Sequence, residues 1–296
     1  MDMKMYDYEA LKKQIYELNP VATEVEEIGR SVMGRSIYCL KTGRGEKKLV
    51  LTGAHHGLEY ITSMFLMKFL KEYESSAIEN RNMFGKSARS FFSEIMLYVL
   101  PMVNPDGVDI AVNGLDITNE YHRRLISAVG IHSFRHVWQA NARGVDLNHN
   151  YNALWQSIIE KPAPTLYGGE SFESEPETAA VCAFLRKVRA DMLVCFHSQG
   201  EEIYYDFDGC ELPESKTIAE HMAAVSGYSV KRPQGTASVG GCKDWFIREF
   251  GKVGFTVEMG KGKNPLPDSE IEKIYPENAR IVFSCMEDLA QTKKYC

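Results

Sequence analysis

Short apolar runs alternate with longer amphipathic stretches along most of this chain. Six runs of four to seven residues, rich in Val, Ile, Leu, Phe and Tyr, read as buried strands: Ser36–Thr42, Lys48–Gly53, Glu94–Val99, Met192–His197, Ile203–Asp206 and Gly254–Glu258. Helical periodicity covers Tyr8–Leu18, Leu58–Glu74, Glu175–Arg189, Ser215–Ser226, Lys243–Phe250 and Pro276–Lys293. Before Glu175, Ser174 is placed as an N-cap. Glu177 follows three residues later as in a capping box, and Pro176 falls in the first turn, where its missing N–H costs little. Strands alternating with helices predict an α/β layered fold. Residues 101–172 are less regular and more polar, and NPDG at 104–107 is a turn signal.

Neither repeats nor a Pro/Ser-rich linker divide the 296 residues, so residues 1–296 are expected to form a single domain. Hydrophobic residues make up 44% and charged residues 25%, enough apolar material for a sizeable core. The formal charge of -6, from 34 basic against 40 acidic residues, argues against nucleic acid as a partner, because phosphate binding needs a basic face. No apolar run reaches a membrane span, and the first residues lack the apolar core of a secretion signal. Seven scattered cysteines without a CxxC pair read as free thiols in a reducing compartment. These features together point to the cytoplasm.

Candidate chemistry clusters where predicted strands end. The run KLVLTG leads into His55 and His56, and Glu59 opens the next helix. Open α/β sheets bind ligands at the carboxyl edge of their strands. Imidazole and carboxylate are both zinc ligands, and the spacing allows either His55 or His56 to partner Glu59. A catalytic zinc takes three protein ligands and leaves a position open. His197, last residue of another predicted strand, can be the third. Glu258 ends a third apolar strand, where an ionised carboxylate is costly to bury without a purpose. RGVDLNHNY at 143–151 gathers Arg143, Asp146, Asn148 and His149, and taken alone it reads as a polar turn.

Taken in order, HGLE at 56–59, VNPDG at 103–107, GVDLNHNY at 144–151, SEPET at 174–178, FHS at 196–198 and FTVE at 255–258 resemble the zinc carboxypeptidases of the carboxypeptidase A type (M14), over nearly the whole chain. Within that family, HSQGEEIYY, GGCKDWFI at 240–247 and GKGKNPLP at 260–267 look most like the γ-D-glutamyl-diaminopimelate peptidases, which cut peptidoglycan stem peptides. The resemblance implies a three-layer α/β/α fold with a mixed, twisted central sheet of about eight strands. It implies one Zn2+ held by His56, Glu59 and His197, with His55 a neighbour. By the same match Glu258 is the general base for a metal-activated water, and Asp146 holds a ligand histidine, as metal sites commonly require. Asn148 matches the asparagine that binds the substrate's carboxylate or backbone.

Three positions depart from the carboxypeptidase pattern. His149 stands where an arginine grips a terminal carboxylate. DWFIREF at 244–250 lacks the family tyrosine. The family's oxyanion arginine lies between NPDG and GVDLN within a longer insert; here Arg143, adjacent to GVDLN, is the candidate substitute, with Arg135 as the alternative. Lys261 and Lys263 are charge-recognition candidates. The implied substrate is the γ-D-glutamyl–diamino acid amide of a stem peptide. Rival readings are a metallocarboxypeptidase acting on ordinary peptides, a zinc deacylase of N-acyl amino acids and, least favoured, a non-catalytic binding module. Trp138, Trp155 and Trp245 read as packing residues, and His122, His132 and His136 as surface histidines.

Overall fold

The computed structural model describes residues 5–130, 134, 136–208, 210, 212–232, 235 and 239–291. Its strands are β1 (Thr23–Arg30), β2 (Ser36–Gly43), β3 (Lys47–Thr52), β4 (Asn82–Met83), β5 (Lys86–Ser87), β6 (Ile95–Leu100), β7 (Met192–His197), β8 (Glu202–Tyr204), β9 (Ser229–Lys231) and β10 (Val253–Glu258). The helices are α1 (Tyr8–Tyr16), α2 (Ile61–Ile78), α3 (Ala88–Glu94), α4 (Pro105–Asn113), α5 (Glu120–Val129), α6 (Pro176–Val188), α7 (Ser215–Ser226), α8 (Cys242–Phe250) and α9 (Ile271–Gln291). Eight strands form one sheet in the order β1-β2-β6-β3-β7-β10-β8-β9, and β4 and β5 make a small separate hairpin. The central strands β6, β3, β7 and β10 are parallel, while β2 joins β6 and β8 joins β10 antiparallel. The sheet is therefore mixed, as expected.

Alternation along each buried strand sends successive side chains to opposite faces. Leu49 and Leu51 of β3, Val194 and Phe196 of β7 and Phe255 and Val257 of β10 pack with Phe65 and Phe69 of α2, Met222 of α7 and Val282 of α9. Val50, Leu193 and Cys195 point the other way, into a cluster with Val181 and Leu185 of α6 and Trp245 and Phe246 of α8. Burying each such side chain contributes about 1.5–3 kcal/mol, which docks helices on both faces and makes three layers. No described helix is long and apolar enough to cross a membrane. Cys39, Cys182, Cys195, Cys210, Cys242 and Cys285 are free, and Cys296 lies outside the described residues.

Several sequence expectations need correction. NPDG does not form a free turn: Pro105 opens α4, and the Asn104 side chain caps it by accepting from the Gly107 N–H at 2.8 Å. The irregular stretch contains α4 and α5. The cap of α6 is Glu175, not Ser174, and Glu177 does not close a capping box. Ser174 instead donates to Glu175 Oε1, and Glu177 accepts from the Val32 N–H at 3.0 Å. The strand expected at Ile203–Asp206 is shifted toward the N-terminus, to Glu202–Tyr204.

Candidate metal centre

The parallel register of β3, β7 and β10 brings three chain segments to one edge of the sheet. Glu258 pairs with His197 across β10 and β7, and Thr52 of β3 is level with Cys195. The chain leaving β3 must turn sharply to carry His55 and His56 over that edge. Ala54 takes a left-handed backbone with φ 46°, a conformation that is costly without glycine. It is pinned by its own N–H to Thr62 Oγ1 (2.7 Å) and by the Asn104 N–H to its carbonyl (2.9 Å). The Asn104 side chain also donates to the His55 carbonyl at 3.0 Å, so the NPD segment fastens the histidine turn. Gly57 allows the close approach of α4, because a Cβ there would lie 2.3 Å from the Gly107 carbonyl oxygen.

His56, Glu59 and His197 converge, with their candidate ligand atoms all within 4.8 Å of one another. Glu59 is buried between the imidazoles, with Oε1 2.9 Å from His56 Nδ1 and Oε2 2.9 Å from His197 Nδ1. Burial opposes ionisation of Glu59, but the two histidines outweigh it and hold its carboxyl down to about 2. His56 is also pulled down by burial, yet Glu59 and Asp146 raise it well above the usual imidazole range. The pocket thus concentrates negative potential on the two ring nitrogens that face Glu59. Two imidazole nitrogens and one carboxylate converging in a buried site are a zinc donor set, so these residues fit a single Zn2+.

Asp146 lies on the far side of His56, with Oδ1 3.3 Å from Nε2. Its Oδ2 accepts from the Leu166 N–H and Thr165 Oγ1, and its carboxyl is held well below the usual range: burial opposes ionisation, but His56 outweighs it. His55 stacks on His197 with ring centroids 5.5 Å apart, and its Nε2 meets the Tyr151 hydroxyl at 3.0 Å. Burial, His197 and His56 keep it well below the usual imidazole pKa. His55 therefore buttresses His197 and stands outside the converging set.

A cleft opens over this cluster, lined by His56, His197, Glu258, Asp146, Asn148 and His149 together with Gln139, Tyr204, Lys243, Asp244 and Thr256. Burial pushes the Glu258 carboxyl up to about 7, with His197 and His56 pulling against it and Glu59 adding to it. Asn148 Oδ1 accepts from the Cys242 N–H at 3.1 Å, and His149 Nδ1 donates to the Val239 carbonyl at 2.8 Å. These bonds fix both side chains at the cleft wall.

Other expected site residues are not brought in. Arg143 is half-exposed beside Glu175 (3.4 Å) in a separate depression lined by Val145, Pro162 and Tyr167. It is not among the residues lining the cleft over His56 and His197. Arg135 and His132 lie outside the described residues. Lys261 and Lys263 are exposed loop lysines outside the cleft, and Lys261 pairs with Glu201 at 2.6 Å. The same loop does contribute Asn264, which exchanges hydrogen bonds with Ser198 and reaches Glu59 Oε1 at 3.5 Å. His122 is buried in α5, where its Nδ1 accepts from the Asp116 N–H, and is not a surface residue as expected. Trp138 and Trp245 are core residues.

Gln139, Lys243, Asp244 and Tyr204 were not singled out in the sequence. Gln139 lies in the irregular region without periodicity to place it. Lys243 and Asp244 read as the polar start of a helix. Tyr204 ends the strand expected at Ile203–Asp206 and found at Glu202–Tyr204. The available signal was their position within or beside the motifs WQAN, GGCKDW and EEIYY.

The zinc carboxypeptidase family profile matches residues 8–281. An uncharacterised protein, YqgT, of Bacillus subtilis (strain 168) is 37% identical over 294 residues, covering 96% of this chain and 77% of its own. Gamma-D-glutamyl-L-diamino acid endopeptidase 1 of Lysinibacillus sphaericus is 35% identical over 285 residues, covering 94% and 72%. Among solved structures, thrombin activatable fibrinolysis inhibitor superposes with a TM-score of 0.77 at 19% identity, over 97% of this chain and 73% of that one, a likeness of fold. The chain belongs to the zinc carboxypeptidase (M14) family of metallopeptidases, whose cofactor is a zinc ion.

Proposed function

We propose that this metallopeptidase hydrolyses the amide between the γ-carboxyl of D-glutamate and a diamino acid in peptidoglycan stem peptides. The observation that carries the reading is the pairing of Glu258 with His197, which sets a buried carboxylate beside the His56–Glu59–His197 cluster at the floor of one cleft. The 35% identity to an endopeptidase named for that bond supports the substrate class. His56, Glu59 and His197 are the residues that would hold zinc. Zinc there supplies a Lewis acid, which lowers the pKa of water from 15.7 to about 7 and polarises a carbonyl.

The remaining steps belong to the chain itself. Glu258 takes the proton of the attacking water and delivers it to the leaving nitrogen, a role suited to a carboxyl near neutrality. Asp146 holds the His56 ring by Nε2, so Nδ1 faces inward. Asn148 and His149 receive a carboxylate or backbone group of the leaving residue. Gln139 lines the cleft, its amide oxygen accepting from the Thr165 hydroxyl. The free cysteines suit a reducing compartment, and we place the reaction in the cytoplasm, on imported wall peptides.

The test uses zinc-loaded protein and L-Ala-γ-D-Glu-meso-diaminopimelate, read by mass spectrometry, with Glu258→Gln as control. Release of diaminopimelate by the wild type alone is the expected result. Release of C-terminal residues from ordinary peptides, with the tripeptide left intact, would establish the carboxypeptidase alternative.

A further inference from the structure

Lys243 and Asp244 are consecutive residues in the first turn of α8, and both line the same cleft as Glu258. Their side chains are only 4% and 2% exposed. The Lys243 ammonium donates to the Asp206 carbonyl at 2.6 Å and to Asp244 Oδ1. An ammonium has three N–H donors, so this arrangement leaves one for a third partner. A buried ion pair is a weak source of stability, and apolar residues of similar volume commonly do as well or better. Its place on the wall of a reaction cleft therefore calls for a partner that carries charge.

We propose that the Lys243–Asp244 pair is a subsite for an amino-acid zwitterion, with a ligand carboxylate on Lys243 and a ligand ammonium on Asp244. The proposal rests on the reading of the cleft as the peptidase site. Asn148 and His149 on the same cleft can serve a second carboxylate. The leaving half is then a diamino dicarboxylic acid: one centre gives its nitrogen to the scissile amide, and the other keeps ammonium and carboxylate together. A lysine side chain offers an ammonium without the carboxylate and leaves Lys243 facing a like charge. An apolar side chain leaves the pair only each other and brings no charge to meet it.

The experiment compares zinc-loaded wild type on L-Ala-γ-D-Glu-meso-diaminopimelate, the same peptide with its distal carboxyl amidated, and L-Ala-γ-D-Glu-L-Lys. The first should exceed the other two in kcat/KM by about 10- to 100-fold, the scale of a lost charged hydrogen bond. Free meso-diaminopimelate should inhibit its cleavage competitively, at concentrations where L-lysine does not. Lys243→Met should bring the three substrates to within about threefold of one another. If this variant does not fold, the substrate and inhibitor comparisons on the wild type decide alone. Equal cleavage of all three by the wild type, or a preference retained in Lys243→Met, overturns the subsite and leaves the γ-D-glutamyl reading standing. Cleavage of none of the three overturns both.

Discussion

Asp146 Oδ1 and His56 Nε2 lie 3.3 Å apart, on the opposite side of the ring from Glu59. The carboxylate fixes the tautomer that turns Nδ1 toward the cluster and makes that nitrogen more basic. Partners of this kind commonly contribute 10- to 100-fold in metal affinity. Asp146→Asn should therefore weaken zinc binding by about that factor, measured by competition with a chromogenic chelator. An unchanged affinity would reduce Asp146 to its other visible role, accepting from the Asn148 and Leu166 N–H groups.

Glu258 should be separable from metal binding. Glu258→Gln keeps the shape of the side chain and removes its basicity, so kcat should fall by about 10²–10⁴ while zinc stoichiometry stays at that of wild type. The active form is the carboxylate, and burial pushes its pKa up to about 7. Activity should therefore rise with pH on an acidic limb. A bound cation acts in the same direction as His197, so the midpoint of the limb should fall at or below 7. A pH profile of kcat/KM tests this; an acidic limb that keeps the same midpoint in Glu258→Gln would remove Glu258 from the proton transfer.

The buried centre of the fold was legible because β6, β7, β10 and the second half of β3 are nearly continuous apolar runs. Residues shielded on both faces have no polar partner in their pattern. The edge strands were not. β1 reads TEVEEIGR with mostly exposed positions, and β9 is a three-residue strand at the far edge. Metal-ligand candidates were visible as strand-end histidines and a carboxylate, since register carries strand ends to one place. The choice of His56 over His55 needed the family motif, and the geometry agrees with it, because His55 turns to Tyr151. Cleft residues on irregular backbone, such as Gln139, carry no periodicity. The placement of Arg143 goes with its pairing to Glu175, a contact across 32 residues that the spacing alone does not reveal.

Arg143 supplies a contrasting prediction. An oxyanion donor lost from a hydrolase costs about 10²–10³ in kcat. Here the Arg143 side chain is 52% exposed and paired with Glu175, and it lines a separate depression. Arg143→Ala should leave kcat/KM within about threefold of wild type and stability within about 0.5 kcal/mol, as for other exposed pairs. A loss of two orders of magnitude in steady-state rates would show that the side chain reaches the cleft during turnover.

The last prediction concerns stability away from the cleft. Glu177 is fully buried, accepting from the Val32 N–H at 3.0 Å and from Asn141 Nδ2 at 3.3 Å. Burial pushes its carboxyl up to about 8; the Val32 hydrogen bond opposes this, and Asp106 and Glu175 add to it. The folded chain therefore keeps a proton on Glu177 over a pH range where the unfolded chain, with a pKa of about 4.3, has lost it. With more protons bound when folded, stability falls as pH rises, and the loss runs from the unfolded pKa to about 8. The total is on the order of a few kcal/mol. Glu177→Gln keeps an acceptor for Val32 without a titrating group. It should flatten the decline, so that urea midpoints of mutant and wild type diverge between pH 5 and 8, with the mutant more stable at the alkaline end. Parallel pH dependence in the two proteins would mean that Glu177 is ionised in the folded state and that its neighbours compensate the charge.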